Sequence, residues 1–410
     1  MNIVVYVHSM ELGGSQNNAI DLAHATQSLG HNVVLLGEDG VLAAKAERLG
    51  LEHIRISQKR RRPSPSVMGA LSRLVRHRSV DIVHGYEWPP AIDAWLGPHR
   101  VLGTPVIATV MSVAVAPFLP RTMPLVVGVD ALRRQCLLDG FETVDLIEPP
   151  VDVQLDHPQH DGSRFRSDLG VSADELLVVV VGRLVPELKL EGLLTACRTI
   201  ARLAEEGRKI RLLIVGDGPA RPQVEVAARA ANAQFGSPVV MLTGQLDDPR
   251  SAYAAADIML GMGGSALRGL AFGKPLIVQG EAGFWRLCDP STVSEFLDKG
   301  WYGRSAGEAG DAALSAALIP LIESAERREH LGRFGRQLVV DRFSLESAAY
   351  RQIALYDQAI DVSRPARSAE LAKVCLGTGR HWVTRRLARA MRRSTPADDF
   401  NVVSSLPAQR

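Results

Sequence analysis

The sequence predicts an α/β protein built as two doubly wound halves. Its 410 residues exceed what one compact core organises, so two domains are expected. Short β-branched runs alternate with helical patterns along both halves, which is how parallel strands covered on both faces read. A Pro-rich, irregular stretch, Glu148–Pro158, separates the two series. Two wound halves joined by a linker are expected to face each other across a cleft, with ligand at the carboxyl ends of the strands.

Asn2–Val7 (NIVVYV) opens the chain as a buried strand, with no basic residue ahead of its apolar run, so it does not read as a signal peptide. The loop Ser9–Ser15 follows, then a helix from Gln16 to Leu29 that stops at Gly30. Asn32–Leu36, Asp81–Val83, Val106–Val110 and Leu125–Val127 read as the further strands of the first half. No G-x-G-x-x-G follows the first strand, which argues against a dinucleotide site of the NAD type. In the second half Leu176–Val181 is a fully apolar strand, followed by a helix from Glu191 to Glu206 and the strand Arg211–Val215. The turn Gly216–Pro219, the helix Arg221–Asn232 and the strand Val239–Leu242 come next.

The stretch Ala256–Glu281 then reads as a buried strand (Ile258–Leu260), a Gly-Gly-Ser turn, a small-residue helix from Ala266 to Phe272 and a strand from Pro275. Gly263 and Gly264 permit close backbone approach. Ser265 is expected to cap the helix. The unpaired N–H groups at a helix start favour a phosphate or diphosphate. A plain strand-to-helix connection explains this stretch equally well when it stands alone.

Composition narrows the class. The longest apolar run, Leu176–Val181, is far short of the roughly 20 residues a membrane-spanning helix needs. Cys136, Cys197, Cys288 and Cys375 are scattered without a C-x-x-C pair, so a reducing cytoplasm is expected rather than a disulfide framework or a zinc site. The net charge of +2 conceals an asymmetry: Arg364–Arg410 carries +7 and the remainder −5. That basic tail reads either as solvated and partly disordered, given the Gly377–Thr378–Gly379 break, or as an amphipathic helix in peripheral contact with the inner face of the cell membrane. Lys59–Arg62 (KRRR) reads as an exposed loop, and neither segment has the interleaved stacking aromatics of a nucleic-acid module.

Five segments in order carry a resemblance to a known family. They are the Gly13–Gly14 loop, Val181–Gly192 (VGRLVPELKLEG), Val215–Pro219 (VGDGP), Ala256–Pro275 ending in FGKP, and Arg342–Ile360. Over roughly Asn2–Ile360 the chain resembles the GT-B glycosyltransferases, in the large family four of retaining enzymes that use nucleotide sugars. The resemblance implies an acceptor-side Rossmann-like domain over residues 1–155 and a nucleotide-sugar domain over 165–341. Closing helices over 342–361 cross back to the first domain, and a tail covers 362–410.

The same resemblance implies roles for particular residues. Arg183 and Lys189 would grip the donor diphosphate, Arg as a bidentate donor and Lys as a mobile point charge. In the family the Lys more often follows directly after the position of Glu187, where this chain has Leu188. Gly13 and Gly14 would close over the donor phosphates, with Gly263, Gly264 and Ser265 at the helix start. Gly244 and Gln245 would stand near the nucleotide base. The donor is a co-substrate, no cofactor is implied, and no Asp-x-Asp metal motif stands at a strand end.

Departures from the family pattern bear on catalysis. The usual pair of Glu residues falls at Leu260 and Arg268. Arg268 cannot accept the ribose hydrogen bonds, so it either adds a third positive charge at the diphosphate or makes a salt bridge. The family His near the reacting sugar is Met111 here. His84, Glu87 and Glu281 are the titratable candidates to take its place, although a His at a strand end is more often a structural residue. The expected activity is retaining sugar transfer to an unidentified acceptor. A catalytically degenerate partner protein and a nucleotide-sugar epimerase are the alternatives.

Overall fold

The computed structural model describes residues 1–58, 61–112, 114–307, 310–362 and 368–390, with side chains to 387. Lys59 and Arg60 of the basic loop and residues 391–410 of the tail lie outside that range. The chain divides into two compact units, Met1–Pro149 with the chain from Leu345 onward, and Pro150–Ser344.

The first unit is wound on a seven-stranded sheet. Its strands are β1 (Asn2–Val7), β2 (Asn32–Gly37), β3 (Glu52–Arg55), β4 (Ile82–Tyr86), β5 (Val106–Val110), β6 (Leu125–Val127) and β7 (Val144–Leu146), in the order β3-β2-β1-β4-β5-β6-β7. Every pairing is parallel. Side chains alternate across a strand. Val4 and Tyr6 therefore enter the core on one face, and Ile3, Val5 and Val7 the core on the other. Burial on both faces is why β1 reads as an unbroken apolar run.

The second unit repeats this plan with six strands: β8 (Leu176–Val181), β9 (Ile210–Val215), β10 (Val240–Gly244), β11 (Ile258–Gly261), β12 (Leu276–Gln279) and β13 (Trp285–Leu287), in the order β10-β9-β8-β11-β12-β13. Only β13 runs antiparallel. Val178 and Val180 fill one core, Leu177 and Val179 the other. Each fully buried aliphatic side chain contributes about 1.5–3 kcal/mol relative to exposure.

The expected strands of the interior are present, and three edge or near-edge strands are additions to the sequence reading. β3 (EHIR), β7 (VDL) and β13 (WRL) are short and partly polar, so they carry neither an apolar run nor a clean alternation. Their pairing is decided by the neighbouring strand.

The helix Ser368–Ala390 corrects the expectation of a break at Gly377–Thr378–Gly379. A Cβ on Gly377 would stand 2.4 Å from the Phe118 Cβ, so glycine there lets the helix lie close on the first unit. Thr378 Oγ1 donates back to the Val374 carbonyl at 2.7 Å, which satisfies its hydroxyl inside the helix. Glu370 accepts from the Thr122 N–H and hydroxyl, and His381 packs on Trp88 and Phe118. Small residues here serve packing rather than termination.

Candidate active site

In the second unit β8 and β11 are neighbours, and the strand order reverses between them. At such a switch point the loops after the two strands leave in opposite directions and open a crevice at the carboxyl ends. A pocket lies there, lined by Gly182, Arg183, Leu184 and Lys189 after β8, by Gly261, Met262 and Ser265 after β11, and by Gln279 at the end of β12.

Two cations meet in this pocket without a counter-ion. Among the described residues the side chains of Arg183 and Lys189 make no hydrogen bond or ion pair. Burial first, and the charge of Arg183 second, hold the Lys189 ammonium below the ordinary lysine range. Arg183 is exposed to solvent, so the cost falls on the partly buried Lys189 ammonium, and an anion in the site would offset it.

Local backbone geometry produces the convergence. The helix assigned to Pro186–Glu205 is broken at Glu187 (ψ 138°) and Leu188 (φ 65°, ψ −26°), so regular helix begins at Lys189. The left-handed residue absorbs the extra position between Arg183 and Lys189. A Cβ on Gly182 would stand 2.7 Å from Lys189 Nζ, so that glycine makes the room the ammonium occupies. Gln279 Nε2 donates to the Lys189 carbonyl at 3.0 Å, and Gly192 leaves space for the Gln279 amide. The turn Gly216–Pro219 braces the same loop: the Leu184 N–H donates to the Asp217 carbonyl at 2.9 Å, and Gly216 and Gly218 lie against Gly182 and Leu184.

The opposite wall is the start of the helix Gly264–Ala271. Gly263 takes φ 55°, ψ −135° at the N-cap, a conformation that favours glycine. Ser265 is therefore not the cap. Its hydroxyl donates to the Met262 carbonyl at 3.0 Å and closes the turn. The sites where Cβ atoms would stand on Gly263 and Gly264 face open space.

Several candidates fall elsewhere. Arg268 does not line the pocket; its Nε donates to Asp156 Oδ2 at 2.7 Å. Leu260 is fully buried in the sheet core. Gly244 ends β10 in a left-handed conformation (φ 78°), and Gln245 beyond it is exposed; neither lines the pocket. Glu281 accepts a hydrogen bond from the Tyr302 hydroxyl in a loop that Glu191 shapes through the N–H groups of Ala282 (3.0 Å) and Gly283 (2.7 Å).

A second polar cluster sits at the carboxyl ends of β1, β4 and β5 in the first unit, again at a switch in strand order. Glu87 is buried, with φ 69°. Its Oε1 accepts from the Ser15 hydroxyl at 2.9 Å and the Met111 N–H at 3.0 Å, and its Oε2 from the Ser112 hydroxyl at 2.9 Å. One carboxylate thus ties the Gly13–Ser15 segment to the end of β5. Gly13 is needed for crowding, since a Cβ there would meet the Gln16 side chain, whereas Gly14 faces open space.

His84 is withdrawn from any site. It is fully buried, with Nδ1 2.8 Å from the Tyr356 hydroxyl and Nε2 2.6 Å from Thr109 Oγ1. Burial drives its pKa down to about 3. The expected catalytic candidate is a core residue that anchors the helix Leu345–Asp361. Ser15, Ser112, Gln279 and Glu191 were not singled out in the sequence, because their roles depend on contacts between strands far apart in the chain.

Comparison with known proteins agrees with this geometry. Residues 175–297 match the model of the Glycosyl transferases group 1, and residues 12–125 that of Glycosyltransferase Family 4. These two matches, one in each unit, make the chain a glycosyltransferase, and two sheets wound in this order give it the GT-B fold. Among its relatives is the 2-deoxystreptamine glucosyltransferase of Streptomyces kanamyceticus, 27% identical over 299 residues, covering 65% of this chain and 73% of the relative. The D-inositol 3-phosphate glycosyltransferase of Segniliparus rotundus is 26% identical over 327 residues, covering 71% of this chain and 70% of the relative. A glycosyltransferase from Rickettsia africae has a similar solved structure, with TM-score 0.70 at 16% identity over 88% of this chain and 98% of that one. The Anabaena protein HepE in complex with UDP and glucose gives TM-score 0.70 at 14% identity over 87% and 100%.

Proposed function

We propose that this chain transfers a sugar from a nucleoside-diphosphate donor to an acceptor with retention of anomeric configuration. The observation that carries the reading is the uncompensated pair Arg183 and Lys189 in the β8–β11 pocket, opposite the start of the helix Gly264–Ala271. A diphosphate supplies the anion that this pocket lacks. HepE, a neighbour in fold, is described in complex with UDP and with UDP-glucose.

Negative charge grows on the departing diphosphate as the bond from the anomeric carbon to the phosphate oxygen breaks. Arg183, Lys189 and the helix-start N–H groups stabilise that charge in place, with little reorganisation. The acceptor oxygen bonds to the anomeric carbon on the face the diphosphate leaves. Its proton passes to the leaving phosphate oxygen, so no protein carboxylate nucleophile is required. Glu87 positions the Gly13–Ser15 segment rather than taking a proton.

The second reading, a catalytically degenerate partner protein, is favoured by one observation: neither position of the usual Glu pair presents a carboxylate, with Leu260 in the core and Arg268 paired to Asp156. NMR of purified protein with a panel of nucleotide sugars separates the readings. Transfer to an acceptor, or slow release of sugar with the donor's anomeric configuration, supports the enzyme. Donor binding without any turnover supports the partner, and conversion of one nucleotide sugar to its epimer overturns both.

A further inference from the structure

The helix Ser368–Ala390 presents two different faces. Val374 and Thr378 are buried against the first unit, and Leu371, His381 and Arg385 are partly covered beside them. The opposite face carries Leu376 (74% exposed), Val383 (49%) and Leu387 (56%), while Trp382 (41%) stands on the flank between the two faces. Residues 376, 383 and 387 recur at helical spacing and form a continuous stripe. Three large apolar side chains left in water on one helix face mark an interaction surface.

Charge indicates what covers it. Lys373, Arg380 and Arg386 are exposed beside the stripe, and Arg386 lies over the Trp382 ring with its guanidinium carbon 5.2 Å from the centroid. The one acidic residue in the helix sequence, Glu370, is occupied by Thr122 on the inner side. An apolar stripe flanked by cations, with a tryptophan on the adjoining flank of the helix, matches the boundary between acyl chains and anionic headgroups. Among the described residues no helix is long and apolar enough to cross a membrane.

We propose that the outer face of Ser368–Ala390 docks the protein onto an anionic lipid surface, the apolar stripe entering the acyl boundary and the flanking cations meeting the headgroups. This inference is independent of the donor pocket.

Flotation of the full chain with vesicles tests it. The protein is expected to bind vesicles of phosphatidylcholine with about one third phosphatidylglycerol at least ~10-fold more tightly than neutral ones, and to be released by about 0.5 M salt. Leu376→Ser with Leu387→Ser, or Arg380→Gln with Arg386→Gln, should each weaken binding several-fold while leaving the far-UV circular dichroism unchanged. Trp382 gives a second readout: its emission should shift to the blue on anionic vesicles, and Trp382→Phe should remove the shift. Equal binding to neutral vesicles, or no binding to either, overturns the proposal. So does a dimer in solution that the two Leu→Ser changes dissociate, since a second copy would then cover the face.

Discussion

Lys189 and His84 show how one physical effect, desolvation of a basic group, produces opposite roles. His84 is enclosed with a hydroxyl at each ring nitrogen, so burial keeps it neutral and structural. Its folded pKa of about 3 lies below the ordinary 6.5, so the unfolded chain binds more protons between those values. Stability from this site is fully present above pH 6.5 and is lost as the pH falls towards 3. His84→Gln should cost about 1–3 kcal/mol at neutral pH through lost hydrogen bonding, and should flatten the acid limb of stability measured by urea unfolding. Lys189 is held in an electropositive pocket with no partner, and its pKa is likewise lowered. The same sign applies: below the lowered pKa the charged amine destabilises the free protein, and this penalty disappears as the pH rises to the ordinary lysine value. Lys189→Met should therefore raise the Tm of the ligand-free protein at neutral pH while abolishing the gain in Tm that a nucleoside diphosphate gives.

The elements that position the site were legible in part, and the differences have local causes. Leu176–Val181 and Ile258–Leu260 are unbroken apolar runs, and their sheet neighbours follow from the alternation of strand and helix. Nothing in VPELKLEG announces that Leu188 turns left-handed, since leucine rarely adopts φ 65°. That conformation is what returns Lys189 to the pocket despite its displaced position in the sequence. Leu188→Gly should stabilise the protein by about 1 kcal/mol in thermal unfolding and leave diphosphate affinity within about threefold, because the backbone already suits glycine. Leu188→Pro, with φ fixed near −65°, should remove binding. Glu87 was visible as a candidate acid, yet its three donors come from two segments far apart in the chain, and only the fold assembles them. Glu87→Ala should cost about 1–3 kcal/mol in urea unfolding by stranding those donors. Glu87→Gln should retain stability better but lower kcat through a looser Gly13–Ser15 segment.

At the scale of the whole molecule, each unit is a doubly wound sheet with its polar cluster at the switch in strand order, β1–β4 in one and β8–β11 in the other. The Family 4 match falls within the first and the group 1 match within the second. This plan was legible because parallel strands buried on both faces must be apolar throughout. The edge strands and the packed helix Ser368–Ala390 were not, because partner surfaces decide them. On the function proposed, an anion has to occupy the Arg183–Lys189 pocket for the second unit to hold a donor. Calorimetric titration of a nucleoside diphosphate into wild-type protein, Arg183→Ala and Lys189→Ala tests that directly. Wild-type binding, weakened about 10–100-fold by either change as expected for loss of a charge-assisted hydrogen bond, is the predicted result. Unchanged affinity in both variants would contradict it.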